Sequence, residues 1–371
     1  MTSAFRRSLL TLVLTAVPGT SGAQLVNGDA VDQFVRAEME RQHITGLSLA
    51  IVKGGRVVHA RGFGWADREQ QIAVTPETVF KIGSVSKQFL ASGIMLLVQD
   101  GRVRLDDPVS KYIGDTPESW SAVTLRHLLS HTSGILREGP AFDPMVRKPD
   151  IDVIRSAYSA PLRFETGTSF QYCNVCYFAL AEIIARVSGQ PWDAFMRERV
   201  FAPVRMEATG TTIDPIPNRA RGYDWRDDAH HATPEWQALR PSGAFVSTVL
   251  DLARWDSVLY AGAILKRESR DTMWTNTQVK GGRPAPYGLG WYLENVQCPR
   301  VQSSGVGCRA LAGRRLVHHG GSLPGFRALV THIPQDSLTV IVLTNTDDAQ
   351  PPVIARGVAE LIVGASNGKN D

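Results

Sequence analysis

Phe80-Lys81-Ile82-Gly83-Ser84-Val85-Ser86-Lys87 runs into Phe89-Leu90-Ala91-Ser92-Gly93-Ile94-Met95-Leu96-Leu97-Val98, and the reading of the whole chain turns on this stretch. The second part is apolar nearly all round, the pattern of a helix buried in a core rather than lying on a surface. Asp100-Gly101 supplies its C-terminal stop. Lys87 stands at the mouth of that helix, where an unpaired charge is costly. Residues three apart share a helix face, so Ser84 lies beside the Lys87 amine. A desolvated lysine can lose its proton near neutral pH and act as the base that activates a serine hydroxyl. If Ser84 opens the helix, backbone N–H groups and the helix dipole also favour negative charge on its oxygen. Ser86 is off this register and reads as structural. An ordinary surface turn would carry the same Ser-x-x-Lys; the apolar run behind it argues against that reading. Ser366-Asn367-Gly368-Lys369 has the same spacing and reads as an exposed tail.

Two further motifs complete a set of parts for acyl transfer. Tyr172-Cys173-Asn174 lies between the loop Glu165-Thr166-Gly167-Thr168 and an apolar helix. A tyrosine beside ammonium groups can serve as base and its phenol as acid, while Asn174 can hold a substrate amide or orient Lys87. His319-Gly320-Gly321-Ser322 precedes a strand expected from Phe326. Its glycines allow substrate to approach the backbone, and the N–H groups of Ser322 and Ser84 together would make a two-donor oxyanion hole. His319 would stand beside the pocket as a donor to Tyr172 or to a substrate carboxylate, with Gly321 helping to seat the substrate.

The chain has 371 residues, 43% apolar and 20% charged, the composition of a globular enzyme. Arg6-Arg7, the apolar run Leu9 to Val17, and Ser21-Gly22-Ala23 describe a signal peptide over 1–23, with a twin-arginine route also open. Nine apolar residues are too few to span a bilayer. The remaining chain starts near Gln24, is exported to the periplasm or beyond, and keeps no membrane span. Without Arg6 and Arg7 the formal charge of +4 falls to +2, and no basic cluster points to nucleic acid. Oligomeric state is not legible.

Four cysteines can form disulfides after export. Cys298 and Cys308 bracket a Gly/Ser-rich stretch and are read as a loop staple; Cys173 and Cys176 form either a disulfide or a buried thiol pair. A zinc site from all four is disfavoured, because Cys-x9-Cys fits no common ligand spacing.

Secondary-structure signals place strands at both ends and helices between. Asp29 to Gln42 has helical spacing with Val31, Phe34 and Val35 on one face. Gly46–Val52 and Val57–Phe63 form a hairpin on Gly54-Gly55. Helices are expected from the Thr124 cap through Leu129, from about Asn174 to Val187, and over Val353–Val363. Strands are expected at Tyr287–Leu293, Arg327–Ile333 and Leu338–Leu343, and the stretches 137–150 and 211–241 read as long surface loops. The organisation is α+β: an antiparallel sheet flanked by helices from 24–83 and 285–371, and a mainly helical domain over 84–284.

Six motifs occur in order: Phe80 to Lys87, Leu105-Asp106-Asp107-Pro108-Val109, Leu128 to Gly134, Tyr172-Cys173-Asn174, Tyr287 to Trp291, and His319 to Phe326. With them the chain resembles the serine β-lactamase and penicillin-binding superfamily, in its class C-like branch. That branch also holds DD-carboxypeptidases, D-aminopeptidases and family VIII carboxylesterases. The resemblance implies a sheet domain and a helical domain with the active site in the cleft between them. It implies Ser84 as acylated nucleophile, Lys87 and Tyr172 sharing the proton work, Asn174 on Lys87 or substrate, and an oxyanion hole from the N–H groups of Ser84 and Ser322. His319 replaces the usual lysine, and a neutral imidazole is a weaker partner for a carboxylate, which favours peptidase or esterase chemistry over β-lactam hydrolysis.

The expected function is an exported serine hydrolase acting through an acyl-enzyme on small esters, D-amino-acid peptides or β-lactams, with no cofactor and no metal. The alternative is a non-hydrolysing receptor of the same fold for β-lactams or peptidoglycan fragments. No Gly-x-Ser-x-Gly elbow or His-Glu-x-x-His occurs, and His131 is expected to brace the pocket floor.

Overall fold

A computed structural model describes residues 27–297 and 309–367. The expected signal peptide and the Cys298–Cys308 staple lie outside these residues. The chain enters through helix α1 (Gly28–Arg41), followed by strands β1 (Gly46–Lys53), β2 (Arg56–Asp67), β3 (Ile72–Ala73) and β4 (Phe80–Lys81). The β1–β2 turn falls on Gly54-Gly55, both at positive φ, as the sequence predicts. A single 3₁₀ turn, Gly83–Val85, then leads into α2 (Ser86–Gln99). Nearly all of α2 is buried, which its uniform apolarity requires.

Short helices α3 (Leu125–Leu129) and α4 (Asp150–Arg155) precede the long α5 (Asn174–Ser188) and α6 (Trp192–Met196). The Thr124 hydroxyl caps α3 as expected, with the His127 ring closing a reciprocal capping box. Next come β5 (Gly210–Thr211), β6 (Tyr223–Arg226), β7 (Ala229–Ala232) and β8 (Phe245–Ser247). The stretch 211–241 is therefore not all loop. It holds a β6–β7 hairpin whose turn, Asp227-Asp228, takes positive φ at both residues, a conformation short acidic side chains tolerate.

Helices α7 (Val249–Ala261) and α8 (Arg267–Met273) lead to β9 (Tyr292–Asn295), β10 (Arg315–Leu323), β11 (Phe326–Ile333), β12 (Leu338–Thr344) and the closing helix α9 (Pro351–Asn367). The tail reading for Ser366-Asn367 is corrected, since both belong to α9, while Lys369 lies outside the described residues. Tyr287–Trp291 is not strand either. An ideal Cβ on Gly290, at φ +81, would lie 2.8 Å from the Ala91 Cβ, so this segment lies as irregular chain against α2 and pairing starts at Tyr292.

The main sheet is antiparallel, ordered β3-β2-β1-β12-β11-β10-β9, so both ends of the chain meet at the β1–β12 pair. Its strands alternate between two cores. Leu47, Leu49, Ile51, Val340 and Val342 face α1 and α9 with Val31, Val35, Ile354 and Val358. Ala50, Val52, Ile341 and Leu343 face the larger core that contains α2 and α5. Each fully buried aliphatic or aromatic side chain there contributes about 1.5–3 kcal/mol. Among the described residues no helix is long and apolar enough to cross a membrane.

The His-Gly-Gly-Ser motif precedes the strand from Phe326, as expected, and is itself strand, inside β10: Gly320 pairs with Leu329 and Gly321 with Ala328. Two glycines weaken the local strand signal, and pairing with β11 overrides it. Gly321 is also where β10 meets the turn bearing Ser84. A Cβ there would sit 1.9 Å from the Ile82 carbonyl oxygen. Gly321→Ala is expected to lose at least about 1–3 kcal/mol of stability, the usual cost of overpacking, read as a lower urea midpoint.

Candidate active site

Three separate elements deliver the residues that the sequence singles out. The 3₁₀ turn and first turn of α2 carry Ser84 and Lys87, the start of α5 carries Asn174 with Tyr172 just before it, and β10 carries His319 to Ser322. Lys87 is wholly buried. Its Nζ lies 3.1 Å from Ser84 Oγ, 2.9 Å from Asn174 Oδ1 and 2.7 Å from the Ser242 carbonyl oxygen. It also lies over the rings of Tyr172 (4.7 Å) and Tyr177 (5.2 Å). Burial lowers the Lys87 pKa well below the ordinary amine range, Arg240 and Arg137 lower it further, and Glu138 acts in the opposite direction.

The stoichiometry of these contacts matters. A neutral amine has two N–H groups and one lone pair. The Asn174 and Ser242 oxygens can only accept, so they take both N–H groups. The lone pair is left for the hydroxyl proton of Ser84. Asn174 thus faces Lys87, one of the two roles open to it from sequence.

Burial raises the Tyr172 phenol pKa well above its usual value, and the nearby Ser84 side chain only partly offsets the rise. Burial thus favours the neutral form of both groups in the free protein, an amine at Lys87 and a phenol at Tyr172. Ser86, off register as predicted, accepts from the Phe245 backbone N–H at 3.0 Å and ties α2 to β8.

His319 departs from expectation. Its Nδ1 lies 2.7 Å from the Gly320 carbonyl oxygen and its Nε2 lies 2.8 Å from Tyr287 Oη, so it donates at one nitrogen and accepts at the other. It is not bonded to Tyr172, and with 1% exposure it does not reach out to a carboxylate. Burial and the nearby Lys87 push its pKa down to about 3, so it is neutral at any working pH. His131 is also fully buried, and its Nδ1 accepts from the Cys173 N–H at 3.0 Å, bracing the chain beside Tyr172. Cys173 and Cys176 form a disulfide, which resolves the two alternatives for that pair.

Ser84, Tyr172, His319, Gly321 and Ser322 line one cleft of about 550 Å³, with Arg137, Tyr292 and Arg327 among its other walls. Sequence reading missed several neighbours. Tyr287 entered only as part of an expected strand and a family motif, Glu138 and Arg240 fell in stretches read as loop, and Ser242 lies just past the second of these. Their signal was position alone: Glu138 follows the Leu128–Gly134 motif by four residues, and Ser242 directly follows Arg240-Pro241. Tyr287→Phe would strand the buried His319 Nε2 without its donor. A loss of about 1–3 kcal/mol in chemical denaturation is expected.

Residues 31–365 match the family model described as Beta-lactamase. The chain belongs to the beta-lactamase family. Protein flp of Staphylococcus aureus (strain MW2) is 25% identical over 345 residues, 90% of this chain and 66% of that protein, so the chain spans just under two thirds of its length. A Beta-lactamase of Escherichia coli (strain K12) is 26% identical, covering 94% of this chain and 96% of that one. The D-amino acid amidase from Ochrobactrum anthropi SV3 superposes with a TM-score of 0.71 at 25% identity, over 91% of this beta-lactamase family chain and 99% of the amidase.

Proposed function

We propose that this protein is an exported serine hydrolase that cleaves an ester or amide through an acyl-enzyme on Ser84. One observation carries this reading: the buried Lys87 Nζ lies 3.1 Å from Ser84 Oγ and also contacts two acceptor-only oxygens, so that as a neutral amine it would turn its lone pair to the Ser84 hydroxyl. In the forward step the carbonyl carbon of the substrate is attacked by Ser84 Oγ while Lys87 takes the hydroxyl proton. The Tyr172 phenol, which lines the same cleft as Ser84, passes a proton to the leaving group and later receives one from the attacking water. The oxyanion is held by the backbone N–H groups of Ser84 and Ser322, on the two segments that Gly321 brings together.

Substrate class follows from charge. The family's lysine cation is replaced by a buried neutral imidazole, which weakens recognition of a β-lactam or peptide carboxylate at that place. Small esters and amides, including those of D-amino acids, therefore fit better than β-lactams. Export is supported by the leader-like residues 1–23 and by the Cys173–Cys176 disulfide, a bond that persists in oxidising compartments.

Steady hydrolysis of p-nitrophenyl acetate, lost in Ser84→Ala, is the expected result; a stoichiometric burst followed by silence in the wild type would instead favour a receptor. Turnover of nitrocefin should be the slower of the two. Because the reactive amine is the deprotonated one, kcat/KM should rise with pH through the Lys87 titration, and that rise should begin well below the pKa of a free lysine.

A further inference from the structure

The two acceptors of Lys87 are themselves held in place, and the residues that hold them form a continuous charged chain. Asn174 Nδ2 donates to Glu138 Oε1. Because a carboxylate only accepts, this contact forces the other end of the carboxamide, Oδ1, toward Lys87. Glu138 Oε2 in turn accepts from an Arg240 guanidinium nitrogen. The Nε of Arg240 donates to Ser242 Oγ at 3.0 Å, within the Pro241–Gly243 turn whose carbonyl is the second Lys87 acceptor. The Arg240 guanidinium is packed over the rings of Phe142 (4.9 Å) and Trp236 (5.8 Å), which limits its freedom. The chain of contacts closes on itself: Lys87, Asn174, Glu138, Arg240, the 241–243 turn, and Lys87 again.

We propose that Glu138 and Arg240 are positioning residues, a paired clamp that holds the Asn174 and Ser242 oxygens on Lys87 so that its lone pair faces Ser84. This rests on the reading of Lys87 as the base. Without Glu138 the Asn174 amide is free to turn its nitrogen toward Lys87, and the amine loses an acceptor. Without Arg240 the 241–243 turn loses its tie through Ser242 Oγ, and Glu138 keeps only the longer 3.6 Å contact to Arg137 to balance its charge near the amine.

The two members act on Lys87 with opposite sign. Glu138 favours its protonated form, and Arg240 favours its neutral form. The other groups facing the amine are Arg137, which also favours the neutral form, the phenols of Tyr172 and Tyr177, and the imidazoles of His131 and His319, both shifted toward neutrality. None of these is altered by the clamp variants, so opposite responses can be assigned to the pair.

The test is an NMR titration of the full chain labelled with [ε-13C]lysine, of which there are eight residues, with Lys87 assigned by its absence from Lys87→Met. Glu138→Gln should move the Lys87 titration to lower pH and Arg240→Gln to higher pH, with the double variant between them. In parallel, Glu138→Ala should reduce kcat/KM for p-nitrophenyl acetate by on the order of ten- to a hundredfold, the usual effect of a misplaced catalytic group. A Lys87 signal unmoved in both single variants, or moved the same way, overturns the clamp, and folding is monitored in the same spectra. If the wild type fails to turn over ester while Lys87 still responds with opposite signs, the hydrolase reading fails and the clamp stands.

Discussion

A primary amine with no contact with solvent is the constraint around which this site is organised. Burying a protonated lysine without partners would cost several kcal/mol, and proteins escape that cost by pairing the charge or shedding the proton. Here the surroundings do both in part. Glu138 offers compensating charge at one remove, while Arg240 and Arg137 press toward the neutral form. The acceptors that touch the amine directly, an amide oxygen and a backbone carbonyl, carry no formal charge. An amine held by neutral oxygens keeps its lone pair available. A carboxylate in either place would have held the proton on.

The second constraint is the contact between β10 and the turn that precedes α2. The sheet and the helical core meet where a glycine leaves no room for a Cβ, and the meeting brings a strand N–H beside the one that starts the helix. The same contact leaves His319 at the junction, enclosed by Tyr287 and its own strand. That enclosure keeps the imidazole neutral at the cleft wall. Charge in the cleft shifts instead to Arg137, exposed at 5.3 Å over the Tyr172 ring.

Much of this architecture is legible in the chain. The uniform apolarity of Phe89–Val98 predicts a buried helix, and burial follows. Alternating Leu47, Leu49, Ile51 and Val340, Val342 predict strands, and the register carries them to one face. The Ser84, Lys87 and Asn174 convergence follows from motifs, since Ser-x-x-Lys on a helix leaves few geometries. What misled were segments where local signal and tertiary pairing disagree. Gly320-Gly321 carries no strand signal yet lies in β10, because β11 supplies the hydrogen bonds that the glycines do not encourage. Tyr287–Trp291 reads as strand yet is irregular, because its backbone is pressed against α2.

By itself the sequence determined which side chains could do chemistry and that Ser84 stands at the mouth of a buried helix, since those depend on side-chain type and on spacing over a turn or two. It also determined that both ends of the chain share one sheet, through two hairpins with unambiguous turns. Only the tertiary structure decided the protonation of the parts. Whether Lys87 is an amine or an ammonium, Tyr172 a phenol, and His319 a neutral acceptor depends on desolvation and on charges such as Glu138 and Arg240, brought from positions about 50 and 150 residues away along the chain. Those distances in sequence carry no periodicity, so no pattern along the chain could have announced them.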